Sequence, residues 1–178
     1  MAIQRPTLQA RKGFDPGGIG PGLSAPYGYS SAYFGGKTMH NGQDYFWLSA
    51  TSAQRLGIST ADSKGVYPVV SGAIAHVNDV ALGTGLYQQI DATHRAYYWH
   101  LSSRKPAGSY STSTPIGVMG SSGTATDQVH LHFEIRAAPY APSNRIDPEP
   151  WFKVVAVLEP HQRMVLPTLP VRRRLQPT

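Results

Sequence analysis

Residues 129 to 136 read Val-His-Leu-His-Phe-Glu-Ile-Arg, with apolar residues at every second position. That period belongs to a strand, whose side chains alternate between two faces and repeat roughly every 6.5–7 Å along one of them. His130, His132, Glu134 and Arg136 therefore share one side, and Leu131, Phe133 and Ile135 line the other and enter a core. Two neighbouring imidazoles can divide the work of holding a metal and moving protons. An exposed strand face that carries two histidines by chance reads the same way.

A second candidate is His-Asn-Gly-Gln-Asp, with His40 and Asp44 four positions apart. Asn41-Gly42 is a turn pair that breaks a helix, but on a strand the even spacing again puts both side chains on one face. A histidine nitrogen and a carboxylate oxygen are ordinary zinc ligands, although this spacing alone arises often by chance. The third is Tyr-Tyr-Trp-His-Leu-Ser-Ser, where His100 closes an aromatic segment. A lone histidine beside Tyr and Trp is more often a packed or surface residue than a ligand. Taken together, one aspartate and four histidines sit at strand or turn-adjacent positions of one small domain. Three protein ligands with one open position is the arrangement of a catalytic zinc site, not a structural one. The chain has no His-Glu-x-x-His helix, no Gly-x-Ser-x-Gly elbow and no cysteine, which removes thermolysin-like, serine-elbow and thiol chemistry.

Short strands must position these groups. Gly (18) and Pro (15) are plentiful among 178 residues, which favours short elements and many turns over a helix bundle. Residues 65–77 read as two strands broken at Ser71-Gly72, 85–93 and 95–103 as a hairpin turning at 92–94, and 114–123 as a short strand entering a Gly/Ser loop. Residues 49–65 are small and polar and read as an inserted loop that can include a helical turn. Residues 1–22, rich in Gly, Pro and basic side chains, read as an extended N-terminal arm. The domain proper spans 23–152. The prolines beyond Phe152 forbid a long helix, so 153–178 is a Pro/Arg-rich tail, with 154–158 a candidate last strand.

The net charge of +6 draws the chain towards polyanions, nucleic acid or an anionic cell wall. Its basic residues are scattered apart from Arg172, Arg173 and Arg174, and no stripe of Lys/Arg interleaved with aromatics exists, so nucleic acid is not the expected partner. No apolar run is long enough to span a bilayer, and the first 22 residues carry no apolar signal segment.

The three motifs resemble those of the lysostaphin-type zinc metallopeptidases, which cut peptide cross-links in bacterial peptidoglycan. The resemblance runs from about Pro26 to Phe152. Its signature is an early His-x-x-x-Asp and a late His-x-His with Tyr-x-His-Leu-Ser between; here these are residues 40–44, 130–132 and 98–102. Supporting segments follow in order at 26–28, 34–40, 69–77, 115–123 and 145–152. The resemblance implies an all-β fold, a twisted antiparallel sheet of the duplicated hybrid motif type with an open groove. It implies one zinc ion per chain held by His40, Asp44 and His132. His100 and His130 flank the fourth position and serve proton transfer and transition-state stabilisation, and a tyrosine, Tyr33 or Tyr27, assists. Such a zinc lowers the pKa of its bound water and polarises the scissile carbonyl. Glu134 reads as a supporting or groove residue, not the general base. The chain departs from the family pattern at Ser30, at Gln43 and in the long polar stretch 49–65, which bears on the groove lining.

The function expected is a zinc endopeptidase acting on stem or bridge peptides at the bacterial cell wall. With no signal segment in view, a bacteriophage source is expected, either a lysis enzyme held in the host cytoplasm until lysis or a virion-borne lysin whose terminal arms attach to other virion proteins. A structural or wall-binding virion module that keeps the fold without catalysis is the alternative; its degenerate copies usually lose a ligand, and none is lost here. A cupin also carries His-x-His on a strand, but it needs a later Glu and a later His strand that this chain lacks.

Overall fold

The strand expected around the paired histidines forms as β10 (His130–Ala137), and both of its faces are buried. The computed structural model describes residues 2–12, 23–25, 27–28, 40–124, 126 and 128–152. β2 (Gln43–Phe46) and β6 (His94–Trp99) flank β10, placing Asp44 opposite His132 on one side and Trp99 opposite it on the other. β5 (Gly83–Gln89), β4 (Gly72–Asp79) and β8 (Gly108–Tyr110) continue the sheet beyond β6, and β1 (Leu23–Ala25) lies beyond β2. β11 (Arg145–Ile146) takes over from β2 along the same edge of β10, with Arg145 opposite Arg136. A second sheet joins β3 (Gly65–Val66), β9 (Gly117–Met119) and β7 (Leu101–Arg104). Every strand pairing among the described residues is antiparallel, so the architecture is the all-β one expected.

The alternation in the sequence fixes which face does what. Leu131, Phe133 and Ile135 are fully buried and join Tyr45, Leu86, Ala96 and Tyr98 of the large sheet in one cluster with Val66, Leu101, Ile116 and Met119 of and around the small one. Burial of each large apolar side chain contributes about 1.5–3 kcal/mol. The opposite face of the same strands carries Asp44, His130, His132 and Glu134. One packed core thus holds the strands that bear the polar groups in register.

Three segments differ from expectation. The single strand expected over 95–103 is broken at His100: β6 ends at Trp99 in the large sheet, and β7 begins at Leu101 in the small one. Residues 2–12 are not an extended arm: Ile3 bridges to Phe152 and is buried, Thr7 accepts a hydrogen bond from Ala10 N at the start of α1 (Leu8–Arg11), and Gln9 donates to the carbonyls of Phe46 and Ser63. Arg5 makes a bidentate ion pair with Glu149 and lies over the Phe152 ring. The stretch expected as a loop contains α2 (Ala50–Arg55), capped by Ser49, and α3 (Thr60–Ser63), opened by a capping box of Ser59 and Asp62. The serines that made the stretch look like a loop are in part its helix caps. The whole tail 153–178, with its candidate strand at 154–158, and residues 13–22 of the arm lie outside the described residues.

Candidate metal centre

Neighbouring strands bring the early and late motifs together. His40 precedes β2, its carbonyl accepting from Gly28 N at 2.7 Å, and Asp44 is the second residue of that strand. His132 lies beside Asp44 in register on β10. Asp44 Oδ1 is 2.9 Å from His132 Nδ1 and 3.2 Å from His40 Nε2, and the two ring nitrogens are 3.1 Å apart. All three residues are buried. A tetrahedral zinc with bonds of about 2.0–2.2 Å needs donor atoms about 3.3–3.6 Å apart. The triangle therefore needs to open only by a few tenths of an ångström to accept such an ion, and its nitrogen–oxygen donor set suits zinc.

Gly42 makes this approach possible. A Cβ there would lie 2.6 Å from Cε1 and Nε2 of His132 and 2.7 Å from the carbonyl oxygen of Phe133. The turn pair in the sequence is thus also the place where the His132 ring packs directly on backbone.

Two more imidazoles complete the cluster. The His130 ring stacks on Phe46 at 5.3 Å and lies 4.8 Å from the ring of His100, which is 5.8 Å from that of His132. His130 Nε2 is 3.6 Å from Asp44 Oδ1. His130 Nδ1 is 2.9 Å from the Gln128 carbonyl, and His100 Nδ1 is 2.9 Å from the Ser122 carbonyl. A carbonyl can only accept, so each neutral ring carries its proton on Nδ1 and its lone pair on Nε2. His100 stands between β6 and β7 with φ of 64°, a left-handed conformation that a side chain enters at a cost of about 1–2 kcal/mol. Its backbone N–H donates to the Leu82 carbonyl, which helps hold the turn.

The electrostatics separate these rings. Burial pushes His100 down to about 4, against the opposing hydrogen bond to Ser122. Burial also lowers His130, with Asp44 opposing. Burial acts on His132 in the same sense, but the carboxylates of Asp44 and Glu134 outweigh it and raise the ring to about 9. Asp44 is held well below the ordinary carboxylate range: burial would raise it, and the hydrogen bonds from His132 and His40 prevail. Two rings are thus held neutral beside a third whose surroundings favour positive charge, the sign a metal ion would bring.

The structure brings together five of the six residues singled out in the sequence: His40, Asp44, His100, His130 and His132. Tyr33, like Ser30, lies outside the described residues. The alternative tyrosine, Tyr27, donates its hydroxyl to the Arg145 carbonyl at 3.2 Å. Gln43, the polar departure, points to the core side, where it accepts from Tyr45 Oη at 2.8 Å and donates to Glu149 at 3.2 Å. Sequence reasoning missed Phe46 and Arg145. Phe46 follows the His-x-x-x-Asp motif by two, so its place on the Asp44 face was available from strand alternation.

No family model matches the sequence, and no curated protein does. Solved structures do. The catalytic domain of the antimicrobial peptidase lysostaphin from Staphylococcus simulans matches with a TM-score of 0.54 at 27% identity, over 72% of this chain and 89% of that one. The fold is that of the lysostaphin-type peptidases. The catalytic domain of the prophage-encoded M23 protein EnpA from Enterococcus faecalis, in a mutant form, matches with a TM-score of 0.53 at 19% identity, over 71% of this chain and 88% of that one. A chain of the SpoIIQ–SpoIIIAH pore-forming complex matches as well, with a TM-score of 0.55 at 15% identity, over 85% of this chain and 91% of that one. The lysostaphin-type fold thus also occurs in a pore-forming complex, and activity has to be argued from the site.

Proposed function

We propose that this chain is a zinc endopeptidase of the lysostaphin family that hydrolyses peptide cross-links or bridges of bacterial peptidoglycan, acting at the cell wall. One observation carries the reading: three buried donor atoms 2.9–3.2 Å apart, with two further imidazoles packed beside them. His40, Asp44 and His132 would hold one zinc, which supplies a nucleophilic water at neutral pH and polarises the scissile carbonyl. His130, whose Nε2 lone pair faces Asp44, takes a proton and returns it to the leaving amine. His100 offers a second Nε2 lone pair beside the site, and it stabilises the developing oxyanion only once that nitrogen has taken up a proton in the course of the reaction. Tyr33 is assigned as an assisting donor by family resemblance. The proposed source is the phage one expected from the sequence, either a lysis enzyme or a virion-borne lysin whose terminal segments meet other virion proteins. No helix among the described residues is long and apolar enough to cross a membrane.

The test is to measure zinc per chain and to digest defined peptidoglycans, weighing the fragments by mass spectrometry. Wild-type protein is expected to hold one zinc and release cut stem or bridge peptides. Asp44→Ala and His132→Ala lose the metal and the cleavage. His130→Ala keeps the metal and loses about 10²–10⁴ in rate. Zinc-loaded protein that cuts no stem or bridge peptide would instead identify a structural or wall-binding module, the second reading that the fold's presence in a pore-forming complex keeps in view.

A further inference from the structure

Glu134 has no exposed surface, yet it is surrounded by donors. Its Oε1 accepts from His132 Nε2 at 3.2 Å and from Arg145 Nε at 2.5 Å. Its Oε2 accepts from Arg136 Nε at 2.7 Å, from Nη2 of the same guanidinium at 2.6 Å and from Trp99 Nε1 at 3.4 Å. Two guanidinium groups on one carboxylate keep it an ionised acceptor. Enclosed in this way, it touches no substrate, and its route to the chemistry is the ring of His132.

We infer that Glu134 is a positioning residue for the metal site: clamped by Arg136 and Arg145, its carboxylate holds the Nε2 edge of His132 and so aims Nδ1 at Asp44 and His40. An imidazole that donates from one nitrogen offers the lone pair of the other, and such outer carboxylates fix both the tautomer and the orientation of a ligating ring. The clamp is itself anchored. Arg136 and Arg145 are register partners on β10 and β11, the Arg136 guanidinium lies 4.2 Å from the Tyr97 ring centroid, and Tyr27 Oη donates to the Arg145 carbonyl. Gly42 packs closely against Cε1 and Nε2 of the same His132 ring. The closing segment of the domain thus reaches a ligand that lies 13 residues earlier in the chain. This inference rests on the reading of His132 as a metal ligand.

The experiment measures zinc affinity of the metal-free full chain by competition with a chromophoric chelator, and records ring 1H–15N spectra of the zinc-loaded protein. Glu134→Gln is expected to bind zinc about 10–100-fold more weakly than wild type. Arg145→Met keeps the carboxylate but loosens it, so its loss is smaller, and its His132 Nε2–H exchanges faster with solvent. In wild type the His132 ring proton resides on Nε2 with slow exchange. Should Glu134→Gln fail to fold, Arg145→Met and the wild-type spectra decide. Zinc binding in wild type that both variants match, or a His132 ring proton on Nδ1, overturns the inference alone. A wild-type chain that binds no zinc overturns the reading of the site and the inference with it.

Discussion

At Gly42 a single added methyl group tests how closely the ligand ring is held. The new Cβ would meet Cε1 and Nε2 of His132 at 2.6 Å and the Phe133 carbonyl oxygen at 2.7 Å, and the backbone oxygen on a core strand cannot move aside. Gly42→Ala is therefore expected to turn the ring away from Asp44 and His40, lowering zinc affinity at least tenfold by chelator competition, with an overpacking cost of about 1–3 kcal/mol in urea unfolding of the metal-free protein. Unchanged affinity would mean that the ring is not confined there. Phe46 tests the neighbouring ring. Its stack on His130 at 5.3 Å and 22° orients a group that holds no metal. An aromatic pair of this kind is worth about 0.5–1.5 kcal/mol, so Phe46→Ala should slow peptide cleavage roughly 2–10-fold while zinc per chain stays the same. Part of this constellation was readable because strand alternation puts His130 and His132 on one face, whereas His40 precedes β2 and joins Asp44 through the Asn41-Gly42 turn. That Asp44 shares the sheet face of His132 was not readable from periodicity, since the register that sets them opposite each other depends on pairing across 88 residues; the family resemblance supplied it. Arg145 opens a segment, 145–152, that matches the family, but as one basic residue among turn residues it gave no sign of its role, and only the β10–β11 ladder points it at Glu134.

At the scale of elements, β10 does two jobs with one period. Its odd positions are the core and its even positions the site, so core packing sets the precision of the donors. Phe133 is fully buried against Tyr98 at 5.4 Å and Phe152 at 5.8 Å. Phe133→Ala is expected to cost about 3–5 kcal/mol in urea or thermal unfolding, and a cost below 1 kcal/mol would show that the face assignment is wrong. The strands were legible because their apolar alternation and Gly-rich turns are local signals. Residues 2–12 were not, because their burial rests on hydrogen bonding and ion pairing with distant partners. Gln9 is buried by donating to carbonyls at Phe46 and Ser63, and Arg5 by Glu149. Polar residues used in this way leave no hydrophobic period to read. The two short helices at 50–55 and 60–63 escaped for a related reason: a helix of one or two turns is too short to show an amphipathic stripe, and its serine caps have the composition of a loop.

For the whole molecule, the buried histidines set how folding responds to acid, and the direction can be worked out group by group. Burial holds His100 at about 4 and lowers His130 as well, whereas both titrate near 6.5 in an unfolded chain. As the pH falls below 6.5, the unfolded chain takes up protons that the folded one refuses. Stability therefore declines through that window, and for His100 the loss is complete once the pH passes below about 4. The other coupled groups act elsewhere. His132, raised to about 9, contributes stability that is fully present below 6.5 and fades only as the pH climbs towards 9. Asp44, Glu134 and Glu149 are all held below their ordinary values, so their contribution is present above about 4.5 and fades only in stronger acid. The interval from pH 6.5 to 4.5 therefore isolates the two depressed histidines. Urea unfolding of the metal-free protein should show its midpoint falling steadily across that interval, and His100→Gln, which removes one of the two titrations, should flatten the slope while shifting the neutral-pH midpoint by its own separate cost. A midpoint equally pH-dependent in wild type and variant would mean that His100 takes up its proton as readily in the folded chain as in the unfolded one, and that the wall of the site beside Ser122 is open to water.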